Sequence, residues 1–232
     1  MIGVFDSGIG GLNILRELEK RLPGRDFLYY GDSKNCPYGE KTDDELMAIT
    51  SSIVMNLKER GCKVIVIACN TATTRCMKKL KQLFPELIFI GTVPAIKVAC
   101  DKNSKNTLVL ATPATIDSER TEELVRDYKR KDQEIYLVPC EGLAAAIENK
   151  NYYDIKRILN NIYDNYKDKN IDAVVLGCTH YPNVKKEIQE LFKDAQLLDG
   201  GYGVAKEAKR QICKNHISGK GQTGKTTILD TL

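Results

Sequence analysis

The chain has 232 residues, and its 42% apolar content is typical of a protein that folds around a packed core. Its net charge of +4 comes from 35 basic and 31 acidic residues that are interleaved along the chain. Because the basic residues form no block with aromatic residues among them, the composition argues against nucleic-acid binding. No apolar run approaches the roughly 18 residues of a membrane-spanning helix, so no membrane partner is expected.

The amino terminus reads directly as a strand and a turn, without a basic leader region, so we expect a cytoplasmic protein. The eight cysteines are scattered and include no C-x-x-C pair. In a protein without a secretory signal, this distribution predicts reduced thiols rather than disulfides, most of them small core residues.

Short aliphatic runs alternate with longer amphipathic segments along the whole chain. Runs that are apolar on both faces are typical of strands in parallel sheets, and the segments between them are typical of helices. We therefore predict an α/β fold with mainly parallel sheets flanked by helices. The predicted strands are 2–5, 26–30, 63–68, 87–93, 107–111, 134–139, 172–177 and 195–199, and the clearest helices are 12–20, 43–60 and 74–83.

The two halves of the chain repeat one pattern at an offset of roughly 106 to 109 residues. IGVFDSG corresponds to LVLATPA, FLYYGD to IYLVPCEG, and VIVIACNTAT to AVVLGCTHYP. This repeat predicts two similar lobes related by a pseudo-twofold axis, residues 1–92 and 93–199, with residues 200–232 returning to the first lobe. Ligands of open parallel sheets sit beyond the carboxyl ends of the strands, so we expect the active site in the cleft between the lobes.

Cys69 and Cys178 stand at equivalent points of this repeat, each after a predicted buried strand and before hydrogen-bonding residues and a helix. A thiol has an unperturbed pKa of about 8.5, which a helix N-terminus lowers, so it can serve as an acid or a base near neutral pH. One thiolate can remove a proton from a carbon while the other thiol delivers a proton to the opposite face. The pair therefore predicts a reaction that inverts a stereocentre.

Other polar side chains near these strand ends are expected to support that reaction. A carbon acid next to a carboxylate is much weaker than a thiol, so preorganised donors must stabilise the developing charge. Side chains expected to supply hydrogen bonds, beside helix N-termini that favour carboxylates, are Ser7, Asn70, Thr71, Thr115 and Thr179. Candidates to accept or return a proton are Asp6, Asp32, Glu148 and His180.

Taken together, these segments resemble the glutamate racemases of the cofactor-independent aspartate/glutamate racemase superfamily. The resemblance covers nearly the whole chain, and the pairing of ACNTAT with GCTHYP is its most specific part. The matching segments are DSGIGGL (6–12), YGD and PYG (30–32 and 37–39), ACNTAT (68–73), VPAIK (93–97), LATPAT with Ser118 (110–118) and LGCTHYP (176–182).

The resemblance implies that Cys69 and Cys178 interconvert L- and D-glutamate without cofactor or metal, and that D-glutamate feeds peptidoglycan synthesis. It assigns the proton of L-glutamate to Cys178, with Asp6 assisting Cys69 and His180 assisting Cys178. The substrate contacts that it implies are Asp6-Ser7, Tyr38-Gly39, Asn70-Thr71 and Thr179-His180. Around Glu148, the segment CEGLAAAIE follows the family's pattern only loosely.

Two positions depart from the family's pattern. Thr121 stands where a tyrosine is usual, and Asp199-Gly200-Gly201 replaces an Asp-Ser-Gly-like turn. These departures concern packing, stability and side-chain preference rather than the two thiols. The sequence leaves the oligomeric state open, and a homodimer is one assembly compatible with it.

Two other motifs give only weak evidence for a binding site. Gly219 to Thr226 matches the pattern of a phosphate-binding loop, but such a loop needs a buried strand before it and a helix after it. We interpret TTILDTL (226–232), which begins at the last residue of this motif, as a short terminal strand instead. A zinc site built from Cys178 and His180 lacks further ligands at a suitable spacing.

Three kinds of function remain open from the residues. The first is an amino-acid racemase, acting on glutamate or alternatively on aspartate or another amino acid. The second is a decarboxylase or isomerase that uses one thiol, against which the presence of both cysteines argues. The third is a two-lobed binding module without catalysis. The missing secretion signal argues against one such module, a periplasmic receptor.

Overall fold

The computed structural model describes residues 1–219 and 221–231, which form two compact α/β units. The first unit contains Met1–Thr92 and the described residues from Gly201 onward, and the second is Val93–Gly200. Lys220, which belongs to the phosphate-loop-like motif, and Leu232 lie outside the described residues. The predicted α/β class with parallel sheets is confirmed, since every strand pairing is parallel within the described part of the chain.

The elements follow the predicted alternation of strands and helices. The strands are β1 (Ile2–Asp6), β2 (Phe27–Gly31), β3 (Val64–Ile67), β4 (Ile88–Gly91), β5 (Asn106–Ala111), β6 (Glu134–Pro139), β7 (Ala173–Leu176), β8 (Gln196–Leu198) and β9 (Thr226–Asp230). The α-helices are α1 (Leu12–Arg21), α2 (Asp43–Glu59), α3 (Asn70–Leu83), α4 (Ile96–Asp101), α5 (Pro113–Ile116), α6 (Glu119–Tyr128), α7 (Leu143–Glu148), α8 (Tyr152–Tyr166), α9 (Lys185–Leu191) and α10 (Gly201–Lys214).

The first unit is built on a five-stranded sheet in the order β4-β3-β1-β2-β9. Alternate residues of β1 face opposite sides of this sheet: Ile2 and Val4 pack with α1 and α10, whereas Phe5 packs with α2 and α3. Each face is therefore covered by helices, which is why the strands are apolar on both sides rather than alternating with polar residues.

The second unit has a four-stranded sheet in the order β6-β5-β7-β8. Leu108 and Leu110 of β5 face α7, α8 and α9, whereas Val109 faces α4 and α6. Read in reverse, this order is β8-β7-β5-β6, which matches β4-β3-β1-β2 of the first unit strand for strand. The sequence repeat thus corresponds to two sheets with the same strand order.

Three smaller expectations can be compared with the structure. A strand, β9, begins at Thr226, the first residue of the TTILDTL segment that was predicted to be a strand. All eight cysteines are free thiols, and most are buried, which confirms the prediction from their spacing. No helix among the described residues is long and apolar enough to span a membrane.

The start of α3 differs from its predicted position. The sequence placed the helix at 74–83, but it begins at Asn70. Thr73 is buried inside the first turns of the helix, where its Oγ1 donates to the Ile67 carbonyl at 3.2 Å. The bond from Thr73 back to β3 holds the residues after Cys69 in the helix rather than in a loop.

Candidate active site

In the first unit, the predicted site residues collect where three neighbouring strands end. Asp6 is the last residue of β1, Asp32 follows β2, and Cys69 follows β3 after one intervening residue. β1 pairs in parallel with both other strands, with Asp6 opposite Gly31 and Phe5 opposite Ile67. The two carboxylates and the thiol therefore lie at one edge of the sheet, as the sequence predicted for this half of the chain.

Cys69 is the N-cap residue of α3. The first backbone N–H groups of this 14-residue helix belong to the residues directly after the thiol. The positive end of the helix dipole favours a thiolate at such a position. Ser7 and Thr71, two of the predicted hydrogen-bonding side chains, are also buried at this edge.

The amide oxygen of Asn70 is one of the unsatisfied buried polar atoms at this edge. It is buried, and no donor within the described residues bonds to it. Buried acceptors nearly always have a partner, and an unmade hydrogen bond there costs about 1–3 kcal/mol. Asn70 Oδ1 can therefore accept a further hydrogen bond.

Asp6 is fully buried, and its carboxylate is enclosed by the turn that follows β1. The Gly11 N–H donates to Asp6 Oδ2 at 2.6 Å. A Cβ at Gly11 would lie 2.5 Å from the Asp6 Cβ and 2.8 Å from the Tyr29 hydroxyl, so only glycine allows this approach. Tyr29 in turn donates to the Gly8 carbonyl at 2.5 Å, which ties the turn to β2. The sequence did not predict these roles of Gly11 and Tyr29.

Asp32, proposed from the sequence as an auxiliary acid, accepts hydrogen bonds from several side chains. Tyr38 donates its hydroxyl to Asp32 Oδ2 at 2.8 Å, Asn35 donates to both carboxylate oxygens at 3.0 Å, and Thr231 donates to Oδ1 at 3.1 Å. Burial, followed by the charge of Asp32, raises the pKa of Tyr38 far above its usual value. Tyr38 therefore remains a protonated donor, and Asp32 holds it beside Gly39.

In the second unit, Cys178 follows β7 after a single glycine, and His180 and Glu148 contact each other beside it. His180 Nδ1 lies 3.7 Å from Cys178 Sγ, and His180 Nε2 lies 2.6 Å from Glu148 Oε2. His180 is 2% exposed, and the Glu148 side chain 15%. A carboxylate at Nε2 favours the tautomer with the proton on Nε2, which leaves the Nδ1 lone pair toward the thiol. The arrangement is that of a thiol, a base and a carboxylate that orients the base.

The surroundings of the two cysteines differ in one respect from the expectation. Cys178 is followed by the 3₁₀ turn Tyr181–Val184, and α9 begins only at Lys185. A long α-helix therefore starts directly after Cys69 but not after Cys178. The imidazole of His180 lies beside Cys178, in a position where it can accept the thiol proton.

Thr115, predicted to supply a hydroxyl, belongs to a network of buried hydroxyl groups after β5. Its carbonyl accepts hydrogen bonds from Ser118 Oγ at 2.7 Å and Thr121 Oγ1 at 2.6 Å, and its hydroxyl accepts one from Thr112 at 3.0 Å. Thr121, which replaces the family's usual tyrosine, is thus fully buried and hydrogen-bonded. Thr179 is buried directly after Cys178.

Other buried cysteines are poor candidates for a base. Burial raises the pKa of Cys62 to about 11 and that of Cys140 to about 12, and it also raises the pKa values of Cys76 and Cys100. These thiols stay protonated near neutral pH. They are core residues, as the sequence indicated for most of the cysteines.

Gly177 separates β7 from Cys178 and allows the backbone to pass close to β5. A Cβ at this position would lie 2.8 Å from the Leu110 carbonyl oxygen and 2.9 Å from the Ala111 Cβ. We expect Gly177→Ala to destabilise the protein by about 1–3 kcal/mol, because backbone at such a distance cannot move aside cheaply. The measurement is the thermal unfolding midpoint, which should fall by several degrees.

Gly203→Ala is the matched control for this prediction. Gly203 lies in α10, and a Cβ there would meet no atom within 4 Å. Alanine should leave the midpoint unchanged or raise it, because it favours a helix over glycine by up to about 1 kcal/mol. Equal midpoints for the two variants would contradict the close approach at Gly177.

Comparison with known proteins gives consistent relatives over the whole chain. A family model described as Asp/Glu/Hydantoin racemase matches residues 2–208. Glutamate racemase of Clostridium acetobutylicum is 40% identical over 235 residues, which cover 100% of this chain and 91% of that protein. Among solved structures, glutamate racemase from Francisella tularensis in complex with D-glutamate has a TM-score of 0.85 at 29% identity, covering 100% of this chain and 88% of that one. Escherichia coli glutamate racemase in complex with L-glutamate and the activator UDP-MurNAc-ala has a TM-score of 0.82 at 28% identity, covering 99% and 87%.

Proposed function

This chain belongs to the Asp/Glu/hydantoin racemase family, and we propose that it interconverts L-glutamate and D-glutamate. The observation that carries the proposal is the equivalent placement of two thiols. One residue separates Cys69 from the end of β3, and one residue separates Cys178 from the end of β7. These two strands hold equivalent places in sheets of the same strand order. His180 and Glu148 lie beside Cys178, and Asp6 lies at the same sheet edge as Cys69.

The proposed reaction needs one thiol as base and the other as acid. From L-glutamate, the Cys178 thiolate removes the α-proton, and the Cys69 thiol returns a proton to the opposite face of the carbon. D-glutamate reacts by the reverse steps, so each turnover exchanges the protonation states of the two thiols. No redox step is involved, and the substrate gains and loses one proton.

His180 and Glu148 prepare Cys178 for this role. The lone pair of His180 Nδ1, 3.7 Å from Sγ, can accept the thiol proton, and the imidazolium so formed is stabilised by Glu148 at 2.6 Å. Asp6 is the corresponding assistant of Cys69 in the proposal. It is buried at the same sheet edge and held in place by the Gly11 N–H.

The remaining polar groups are proposed to hold the amino acid. Asn70 Oδ1, whose lack of a donor in the described chain supports a ligand contact, accepts from the substrate ammonium. The substrate carboxylates bond to hydroxyl and backbone N–H groups, which stabilise the charge that develops as the α-proton leaves. The groups proposed for this purpose are Ser7, Tyr38-Gly39, Thr71, Thr115 and Thr179-His180.

The function is tested by incubating the purified protein with single enantiomers of glutamate, aspartate and other amino acids while following circular dichroism. Both glutamate enantiomers should lose optical activity toward the same racemic end point, and aspartate should react much more slowly. Activity should persist after exhaustive dialysis against a chelator. Preference for aspartate would contradict the proposed substrate, and activity that returned only with a metal or pyridoxal phosphate would contradict the mechanism.

In the cell, we propose that the D-glutamate formed is used in peptidoglycan synthesis and that the enzyme acts in the cytoplasm. A bacterial strain that requires D-glutamate for growth should grow without it when this chain is expressed. Continued dependence on added D-glutamate, with active protein present in the cells, would contradict that role.

A further inference from the structure

The last described strand, β9, extends the first unit's sheet next to β2. Gly31 lies opposite Asp230, and the Thr231 N–H donates to the Gly31 carbonyl at 3.1 Å. Because the two strands are parallel, the carboxyl end of β9 reaches the same sheet edge as Asp32. A residue almost 200 positions further along the chain thus lies beside the proposed substrate-binding segment.

The Thr231 hydroxyl makes two hydrogen bonds to that segment. It donates to Asp32 Oδ1 at 3.1 Å and accepts from the Lys34 N–H at 3.0 Å. A hydroxyl group can donate and accept at the same time, so this one side chain satisfies both groups. Thr231 therefore restrains the carboxylate and the start of the loop that leads to Tyr38.

Asp32 transmits this restraint to Tyr38. Its other oxygen, Oδ2, accepts the Tyr38 hydroxyl at 2.8 Å. Asp32 is 2% exposed and Tyr38 1%, so neither group can readily exchange its partner for bulk water. The position of the Tyr38 ring, and of Gly39 after it, depends on where the carboxylate is held.

We propose that Thr231 is a positioning residue for substrate binding, acting through Asp32 on Tyr38 and Gly39. This inference rests on the proposed function, because it takes Tyr38-Gly39 as part of the glutamate site. The hydroxyl itself is required, since it is the group that bonds to both Asp32 and Lys34. Valine has the shape of threonine without the hydroxyl, and serine keeps the hydroxyl.

The test compares Thr231→Val and Thr231→Ser with Thr227→Val, which makes the same chemical change at an exposed position of β9. Thr231→Val should raise KM for both enantiomers by about 5-fold to 20-fold. This is less than the full cost of losing a hydrogen bond to a charged group, because Thr231 acts on the substrate site only through Asp32. Its kcat should change less than about 3-fold, because the thiols are untouched. Thr231→Ser and Thr227→Val should stay within about 2-fold of wild type in KM.

A double-mutant cycle with Tyr38→Phe separates positioning from a general loss of stability. If Thr231 acts through Asp32 on Tyr38, then Thr231→Val should raise KM less than about 2-fold further once the Tyr38 hydroxyl is gone. Thermal unfolding of each variant identifies any protein that has lost its fold. Additive effects, equal effects of Thr227→Val, or no rescue by Thr231→Ser would overturn the proposal.

Failure of this inference is distinguishable from failure of the proposed function. A wild-type protein that does not racemise glutamate contradicts the function itself. A wild-type protein that is active, with Thr231→Val indistinguishable from Thr227→Val, contradicts only the role of Thr231.

Discussion

Replacing either Cys69 or Cys178 with alanine is expected to lower kcat for glutamate racemisation by about 100-fold to 10,000-fold in both directions. Each thiol is the base in one direction and the acid in the other, so neither direction survives the loss of one of them. The measurement is steady-state racemisation of each enantiomer by circular dichroism. A variant that keeps more than about a tenth of the wild-type kcat, an increase in barrier below about 1.4 kcal/mol, would contradict the two-base mechanism.

Buried cysteines elsewhere supply the controls for this experiment. Cys62→Ala and Cys100→Ala remove the same atoms from the cores of the first and second units, respectively. Both variants should keep activity, because the raised pKa values of these thiols exclude them as bases near neutral pH. A comparable loss of activity in a control variant would attribute the effect to packing rather than to proton transfer.

The single-thiol variants should also differ from each other in deuterium exchange. In heavy water, Cys69→Ala retains Cys178, so it should exchange the α-proton of L-glutamate slowly without inversion and leave D-glutamate unchanged. Cys178→Ala should show the opposite preference. Exchange measured by mass spectrometry or NMR with the reverse preference would overturn the assignment of L-glutamate to Cys178.

Removing the imidazole of His180 should lower kcat less than removing either thiol, and it should change the isotope effects of the two enantiomers differently. His180→Ala should lower kcat by up to about 100-fold, since Cys178 loses the group that accepts its thiol proton. Because the enantiomers have equal free energy, kcat/KM must stay equal in the two directions, and the asymmetry has to be sought in isotope effects. With α-deuterated L-glutamate the primary isotope effect should rise, because abstraction by Cys178 becomes more nearly rate-limiting. With α-deuterated D-glutamate it should stay level or fall.

The chain offers a matched control in its second histidine, His216, which is exposed and has a positive φ of 51°. His216→Asn removes an imidazole where asparagine tolerates the backbone, and it should change neither rate nor isotope effect. Glu148→Gln should cause a smaller change of the same sign as His180→Ala, since it removes only the charge that stabilises the imidazolium. Unchanged isotope effects in His180→Ala, or a rise confined to D-glutamate, would mean that His180 binds substrate or serves Cys69.

The strands could be predicted from residue patterns alone, and so could the positions of Cys69 and Cys178 at strand ends. Every residue of the run VIVI in β3 is apolar, and this pattern indicates a strand that is buried on both faces. The pattern can be recognised from the local sequence alone. The chain positions directly after such strands lie at the carboxyl edge of a parallel sheet whatever the remaining fold. This is why the repeat could place Cys69 and Cys178, together with Asp6 and the polar residues that follow each thiol, at strand ends, where the sequence predicts the site.

The hydrogen bonds between distant side chains could not be predicted from the sequence. Glu148 meets His180 across 32 residues, and Thr231 meets Asp32 across 199. Such contacts depend on how loops and helix ends approach within about 3 Å, and residue spacing does not encode that distance. That no donor among the described residues reaches Asn70 Oδ1 is likewise a property of the whole packed surroundings rather than of the ACNTAT segment.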